Sequence, residues 1–186
     1  MKVEVVPHDP SWERAFKVES KLICKALGGN VVTIHHIGST AIPGILAKPV
    51  IDLMGEVGDL SSVDAKNEEM RALGYEVMGE CGILGRRYFR KENPPGVRTH
   101  NVHIFEVDTD NVKRHLAFRD FLRFHPVDAE TYSRLKQALA EKYPNDIHGY
   151  MDGKDGMIKE MEKRALAWRS RLTEGGTERS ESRGQA

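Results

Sequence analysis

The segment between Gly38 and Asp52 carries residue types that suit a phosphorylated ligand. Gly38-Ser39-Thr40 follows a β-branched stretch, so it offers backbone N–H groups and two hydroxyls to phosphate oxygens at the end of a predicted strand. Lys48 adds a positive charge. Asp52 interrupts an apolar stretch, where an isolated carboxylate is costly unless it finds a partner or holds a cation. The pattern predicts a phosphate site beside a metal-binding carboxylate.

A purely structural interpretation of the same segment stands beside this one. In it, Ser39 or Thr40 caps a backbone group in a tight turn, and Asp52 faces solvent from an edge strand. The two interpretations place Asp52 differently. The first needs the carboxylate close to the turn, whereas the second needs it on the surface.

The elements that must position these residues follow from hydrophobic periodicity and from turn residues. Strand patterns alternate with helical ones up to Val107, and helical spacing dominates after it. This order predicts an α/β (α+β) fold, a mixed sheet with flanking helices and a helical C-terminal part. The predicted strands are Val31–Ile37, Val50–Val57, Tyr75–Glu80, Ile83–Lys91 and Val97–Val107, and the predicted helices begin near Ser11, Ser61 and Asn111, with breaks at Pro126 and Pro144 and a last helix over Gly156–Leu172.

Composition sets the wider limits. The 28 Lys and Arg residues balance the 28 Asp and Glu residues and are interleaved with them, so no DNA or RNA partner is indicated. No stretch reaches the roughly 18 apolar residues of a membrane span, and the first ten residues lack a signal-peptide core, so we expect a cytoplasmic protein with no membrane partner. Two widely separated cysteines exclude a disulfide framework. We predict one domain over 1–172, sheet-rich over 1–108 and helical over 109–172, followed by a disordered tail over 173–186.

Several motifs together resemble the GrpB family of small bacterial proteins. The signature is HHIGSTAIPGILAKPVID, from His35 to Asp52. The resemblance extends from Val3 to Trp168 and includes the opening VVPHDPSW, Gly74-Tyr75, GRRYF from Gly85, RTHNVH from Arg98 and Phe118-Arg119-Asp120. The chain is therefore identified from its sequence as a member of this family, also known as UPF0157.

The resemblance implies a fold like that of the nucleotidyltransferases, with a polymerase-β-type core. By that likeness Gly38 and Ser39 are the phosphate-holding pair and Asp52 is the first metal-binding carboxylate, with Mg²⁺ or Mn²⁺ as the cofactor. The implied ligand is a nucleotide or another phosphorylated small molecule. The implied activity is metal-dependent nucleotidyl or phosphoryl transfer.

This chain departs from the superfamily pattern at the second carboxylate. The position two residues after Asp52, on the same strand face, holds Met54, which cannot bind Mg²⁺. Glu56 lies about 7 Å further along the strand and is a poor substitute. The alternatives are a non-catalytic accessory module that binds a nucleotide or a coenzyme A precursor, since some relatives are fused to dephospho-coenzyme A kinase, and a His/Asp metal-dependent hydrolase.

Histidine is the other candidate ligand. A strand period of two puts Asn101 and His103 on one face and His100 on the other, so we expect one histidine of this strand in the pocket and assign His103 as a metal ligand or a base. Together with Asp52 and one of His35 or His36, for which we take His36, it would bind a divalent metal, Zn²⁺ being the alternative ion. The competing interpretation is that these histidines bond to backbone groups or carboxylates within the sheet.

Arginine completes the predicted anion site. Arg98 and one of the neighbours Arg86 and Arg87 would join Lys48 in binding phosphate through charge-assisted bonds. Since Arg86 and Arg87 alternate along a regular strand, only one can face the pocket, and we assign Arg87. Oligomeric state stays open.

Overall fold

The computed structural model describes residues 3–181, and side chains up to residue 173. Its centre is a five-stranded sheet in the order β1-β2-β5-β4-β3. β2 and β5 run parallel at the middle of the sheet, and the other neighbouring strands run antiparallel. The strands are β1 Val31–Ile37, β2 Ile51–Val57, β3 Tyr75–Val77, β4 Arg87–Glu92 and β5 Arg98–Glu106.

Six α-helices accompany the sheet within the described residues. They are α1 Ser11–Leu27, α2 Leu60–Asp64, α3 Asn67–Ala72, α4 Asp110–Phe124, α5 Pro126–Lys142 and α6 Ile147–Glu181. None of the helices in this part of the chain combines the length and the apolar character needed to cross a membrane.

The sheet buries a different core on each face. Leu53, Val102 and Phe89 are register partners on one face, where α1 packs through Trp12 and Ile23. Successive strand residues point to opposite faces, so Asp52 and Met54 lie on the other side. We call that side the α4 face, because Val112 and Leu116 of α4 pack there against Met54 and Phe105.

The three C-terminal helices form their own apolar cluster and join the sheet through the loop between β1 and β2. Ile42 and Ile45 of that loop are buried against Phe121 and Leu122 of α4 and Tyr132 of α5. The loop is therefore fixed between sheet and helices, which holds the residues just before Ile42 in a defined place.

The predicted mixed sheet with flanking helices is confirmed, and all five strands lie before residue 108. Two helix predictions were wrong in extent. The helix expected after Ser61 is two short helices, α2 and α3, because the chain makes a turn around Lys66. The last helix begins at Ile147 and runs to Glu181, so it includes the first part of the predicted tail 173–186, and the residues beyond 181 lie outside the described part of the chain.

Candidate functional site

Asp52 lies on the α4 face of β2, with Asn101 of β5 as its register partner. The Asn101 amide donates a hydrogen bond of 2.8 Å to Asp52 Oδ1. The other carboxylate oxygen lies against Gly38, whose positive φ of 69° and lack of a side chain allow this approach. The glycine turn and the carboxylate are therefore immediate neighbours, and Asp52 is not an exposed edge-strand residue.

The turn that follows β1 is held by hydrogen bonds on several sides. Thr40 is buried, donates to the Val50 carbonyl at 3.3 Å and accepts from His36 Nε2 at 2.9 Å. Two arginines of α4, Arg119 and Arg123, donate to backbone carbonyls beside the turn. The Thr40 hydroxyl thus has structural partners, and both Ser39 and Thr40 line the pocket described below.

Lys136 of α5 reaches the same turn from the helical side. Its ammonium group lies 2.9 Å from Ser39 Oγ, is hydrogen-bonded to the Leu46 carbonyl, and stands 4.6 Å from the centre of the Tyr132 ring. The side chain is 1 % exposed. Burial and the nearby Lys154 lower the pKa of Lys136 to about 7.

Arg86 and His103 form the opposite wall. Arg86 is buried, donates to the Cys81 carbonyl at 2.7 Å, and stacks over the Tyr88 ring with its guanidinium carbon 4.9 Å from the ring centre. Its NH1 lies 3.3 Å from His103 Nδ1. Burial, with His115 and Arg86 nearby, lowers the pKa of His103 to about 3. Because a guanidinium only donates, Nδ1 of the neutral ring accepts and Nε2 carries the proton.

Together these groups enclose a pocket of about 490 Å³. That volume lies within the range of small-molecule sites. Five of its lining side chains are basic, and Asp52 is the one carboxylate among the described residues that line it. The lining consists of Ser39, Thr40, Lys48, Val50, Asp52, Arg86, Tyr88, Arg98, Asn101, His103, Lys136, Ile147, Tyr150, Met151 and Lys154.

The electrostatics of this pocket favour an anion. Burial lowers the pKa of Lys154, and burial together with the nearby Arg98 lowers the pKa of Lys48, whereas Asp52 opposes both shifts. Burial raises the pKa of Asp52, although the Asn101 hydrogen bond and the two lysines counteract that rise. The NH1 and NH2 groups of Arg98 donate hydrogen bonds to Tyr88, Asn101 and Glu92. Its Nε is buried and has no hydrogen-bond partner among the described residues. A bound anion would reduce the free-energy cost of burying these cations.

The structure corrects two sequence-based assignments. Arg87 does not reach the pocket, because it pairs with Ile104 on the opposite face of the sheet and binds Asp64 with both Nε and NH2; Arg86 takes its place. His36 also lies on the face opposite Asp52, stacked on Phe16 at 4.9 Å. It therefore cannot share a metal ion with Asp52 and His103.

A centre of two metal ions does not fit these residues. Met54 is fully buried in the core under α4, and Glu56 is bonded to His35 at 2.7 Å. Within residues 3–181, no three His, Cys, Asp or Glu side chains are grouped as a metal site. Asp52 alone, beside Gly38, fits a cation whose remaining ligands come from a bound phosphate.

Lys136 and Lys154 were missed by sequence reasoning, although a signal for them exists. On α5, Ala129, Tyr132, Ser133, Lys136 and Leu139 recur at helical spacing and are all buried, so Lys136 stands inside an apolar stripe. On α6, Lys154 stands between the buried Tyr150 and the cluster residue Met157. A lysine within the apolar face of an amphipathic helix has to find polar partners, and here the pocket supplies them.

Comparison with known proteins identifies the family. The family described as "GrpB protein" matches residues 2–164. The chain belongs to the GrpB family. The UPF0157 protein YqkA of Bacillus subtilis is 43% identical over 168 residues, 90% of this chain and 48% of YqkA. The glutamate-rich protein GrpB of Alkalihalophilus pseudofirmus is 38% identical over 165 residues, 86% of this chain and 94% of that protein. This GrpB chain thus spans about half of YqkA and nearly all of its shorter relative.

Solved structures support the same fold. The crystal structure of the conserved protein GrpB from Enterococcus faecalis matches with a TM-score of 0.86 at 42% identity, over 89% of this chain and 99% of that one. A structure of the Cid1 poly(U) polymerase bound to MgGTP matches with a TM-score of 0.52 at 14% identity, over 74% of this chain and 44% of that one. The GrpB chain therefore shares the nucleotidyltransferase-like fold.

Proposed function

We propose that this GrpB protein binds a nucleotide or a similar phosphorylated small molecule in the pocket between Ser39 and Asp52. One observation carries the proposal: five basic side chains and a single carboxylate line a pocket against the glycine turn. Buried cations are costly unless negative charge lies near them, and the contacts of the buried Arg86 and Lys136 are backbone carbonyls, a hydroxyl, a neutral imidazole and aromatic rings. Such a lining indicates that the negative charge belongs to a ligand.

The lining residues fall into two groups, which would contact two different parts of the ligand. Lys48, Lys154 and Arg98 lie around Asp52 and would bind the phosphate oxygens through charge-assisted bonds. Tyr88 and Arg86 form a stacked pair on the other wall, which suits a flat ring such as a nucleobase.

A divalent ion, Mg²⁺ or Mn²⁺, enters this proposal as a companion of the ligand. Mg²⁺ is commonly held by one or two carboxylates together with substrate phosphates, and Asp52 offers one carboxylate beside Gly38. His103 does not join it, because Nδ1 accepts from Arg86 and the proton on Nε2 blocks that nitrogen. The ion would neutralise phosphate charge next to the turn.

The relatives suggest which ligands to examine first. The Cid1 structure carries MgGTP, which makes nucleoside triphosphates the first class. The dephospho-CoA kinase of Mycobacterium tuberculosis is 28% identical over 189 residues, 88% of this chain and 46% of that protein, which makes coenzyme A precursors the second. Transfer of a nucleotidyl group stays a second candidate, favoured by the position of Asp52 against a Gly-Ser turn.

Isothermal titration calorimetry with ATP, GTP, AMP and dephospho-coenzyme A, each with and without Mg²⁺, tests the proposal. We expect binding that Lys154→Met weakens by about ten- to a hundredfold, the loss of one or two charge-assisted bonds. Lys113→Met is the matched control, because Lys113 is exposed and its nearest acid is Asp108, outside the pocket. Binding that is equal in both variants would show that the ligand lies elsewhere.

Asp52→Asn separates the ion from the phosphate site. We expect this variant to keep ligand affinity in the absence of Mg²⁺ and to lose the increase that Mg²⁺ brings. A folded Asp52→Asn protein whose Mg²⁺ effect equals that of the parent would refute the assignment of Asp52 as the metal ligand. No binding of any tested nucleotide or precursor by the parent would refute the proposed function itself.

A further inference from the structure

Lys136 is the most unusual group of this molecule. A fully buried lysine ordinarily has a carboxylate partner. The partners that the described residues give its ammonium group are the Ser39 hydroxyl, the Leu46 carbonyl and the Tyr132 ring, and none of them is a carboxylate. Such surroundings favour the neutral amine, which has a lone pair that can accept a proton.

The Ser39 hydroxyl lies within reach of that lone pair. Its Oγ is 2.9 Å from Lys136 Nζ, within hydrogen-bond distance. Burial raises the pKa of Tyr132, so its phenol stays protonated beside Ser39. The ammonium form of Lys136 donates to Ser39 Oγ, whereas in the neutral form the Ser39 hydroxyl can donate to the amine lone pair while an N–H keeps the Leu46 carbonyl. This is the arrangement of an activated nucleophile and its general base.

We propose that Ser39 is a nucleophile toward phosphoryl groups, with Lys136 as its general base. The substrate class is a phosphoric anhydride or ester held by the basic side chains of the same pocket, so the physiological part of this inference rests on the proposed function. It differs from that function in assigning a covalent step to a residue that otherwise only binds phosphate.

The step balances without any further reactant. Lys136 Nζ accepts the hydroxyl proton of Ser39 and becomes an ammonium while Ser39 Oγ forms a bond to phosphorus. The bond between phosphorus and the leaving oxygen breaks, and its electron pair leaves with that oxygen, which belongs to a nucleoside diphosphate when the substrate is a nucleoside triphosphate attacked at its terminal phosphorus. The product is a phosphoserine at Ser39, with Lys48, Lys154 and Arg98 around its new charge.

A fluorophosphonate probe tests the nucleophile independently of nucleotide binding, since the serine displaces fluoride from phosphorus. The purified full chain is incubated with the probe, and the labelled residue is found by peptide mass spectrometry. We expect one label, on Ser39, and its loss in Ser39→Ala. Lys136→Met should slow labelling at least a hundredfold, within the usual contribution of a general base.

Lys142→Met is the control for the lysine change, because Lys142 lies on the same helix and is exposed. Where Lys136→Met does not fold, the pH profile of the parent replaces it. Lys154, Tyr132 and Ser39 face the amine, and we expect the labelling rate to rise with pH and level off above about 8 as Lys136 loses its proton.

The second arm uses ATP and Mg²⁺, with intact-mass analysis before and after mixing. A phosphoryl adduct on Ser39 supports the full inference. Labelling by the probe on a residue other than Ser39, or no labelling of a folded protein, overturns it whether or not ATP binds. Calorimetric binding of ATP by that unlabelled protein would leave the proposed function standing, so the two failures are distinguishable.

Discussion

Gly38 and Asp52 pack so closely that a Cβ atom at Gly38 would lie 2.4 Å from Asp52 Oδ2. A positive φ of 69° at Gly38 adds a second reason for glycine at this position. The contact joins the end of β1 to the middle of the sheet and sets the distance between the phosphate-binding turn and the carboxylate. The geometry of the site therefore requires glycine at position 38, because any side chain there would collide with Asp52.

Gly38→Ala should damage both the fold and the site. Alanine at positive φ costs about 1–2 kcal/mol, and the clash with Asp52 adds to it. Gly44→Ala provides the control, because Gly44 has a φ of 80° and no atom lies within 4 Å of the position that its Cβ would take. Urea unfolding should show a larger loss for Gly38→Ala than for Gly44→Ala. Equal losses of unfolding free energy in the two variants would show that the Asp52 side chain moves away from the added methyl group at little cost.

Asp52→Asn should not destabilise the protein at neutral pH. Burial raises the pKa of Asp52 in the folded state, so the ionised carboxylate opposes folding above that pKa and the protonated one does not. Asparagine keeps an oxygen for the Asn101 amide and carries no charge. In urea unfolding at pH 7.5 we expect the variant to match or exceed the parent, with the difference shrinking as the pH falls. A large loss of stability would contradict the assigned burial cost.

Buried histidines should make the protein sensitive to mild acid. Burial is the largest cause that lowers the pKa of His36 and His115 to about 4 and of His103 to about 3. The unfolded chain takes up these protons near pH 6.5, so stability is full above that pH and is lost as the pH falls toward 4. Each histidine contributes a slope of about 1.4 kcal/mol per pH unit within this window.

Unfolding free energies measured between pH 7 and 5 check this slope. His115→Gln should reduce it by about one histidine's share. His148→Gln, at an exposed position of α6, is the control and should leave it unchanged. A stability that stays constant from pH 7 to pH 5 would contradict the neutral, buried state of these rings.

Neighbouring arginines should behave differently on substitution. Arg86→Met removes a buried cation from the pocket wall and should weaken ligand binding by about tenfold or more. Arg87→Met breaks a partly exposed pair with Asp64 on the other face and should leave ligand binding unchanged, at a cost of about 1 kcal/mol or less in stability. Calorimetry on both variants decides the matter, and equal effects on binding would refute the assigned strand faces.

Much of the fold could be predicted because each strand has its own local pattern. The β-branched run Val31–Ile37 is β1 at its full length, and β2 and β5 differ from their predicted bounds by one residue at an end or at each end. The strand expected over Ile83–Lys91 begins only at Arg87, because Gly82 and Gly85 adopt positive φ and place the preceding residues in a turn. The glycines predict a turn, but local composition does not predict the residue at which β4 begins to pair with β5.

The site was harder to predict, because its members meet only in three dimensions. Asp52, Asn101 and His103 follow from strand alternation, and the structure places all three on one face. The choice between Arg86 and Arg87 failed, since Arg86 precedes β4 and is positioned by bonds to the turn before it. Lys136 comes from a helix whose register against the sheet no local pattern specifies.

Leu46 joins the loop between β1 and β2 to a helix that the ribosome makes much later. Its N–H donates to Ser133 Oγ at 2.8 Å, and its carbonyl accepts from Lys136, so α5 holds the loop between β1 and β2 at one peptide unit. A growing chain on the ribosome has the turn and Asp52 long before it has α5 and Lys154. The ligand site is therefore complete only once α5 and α6 have been made and have packed against the turn.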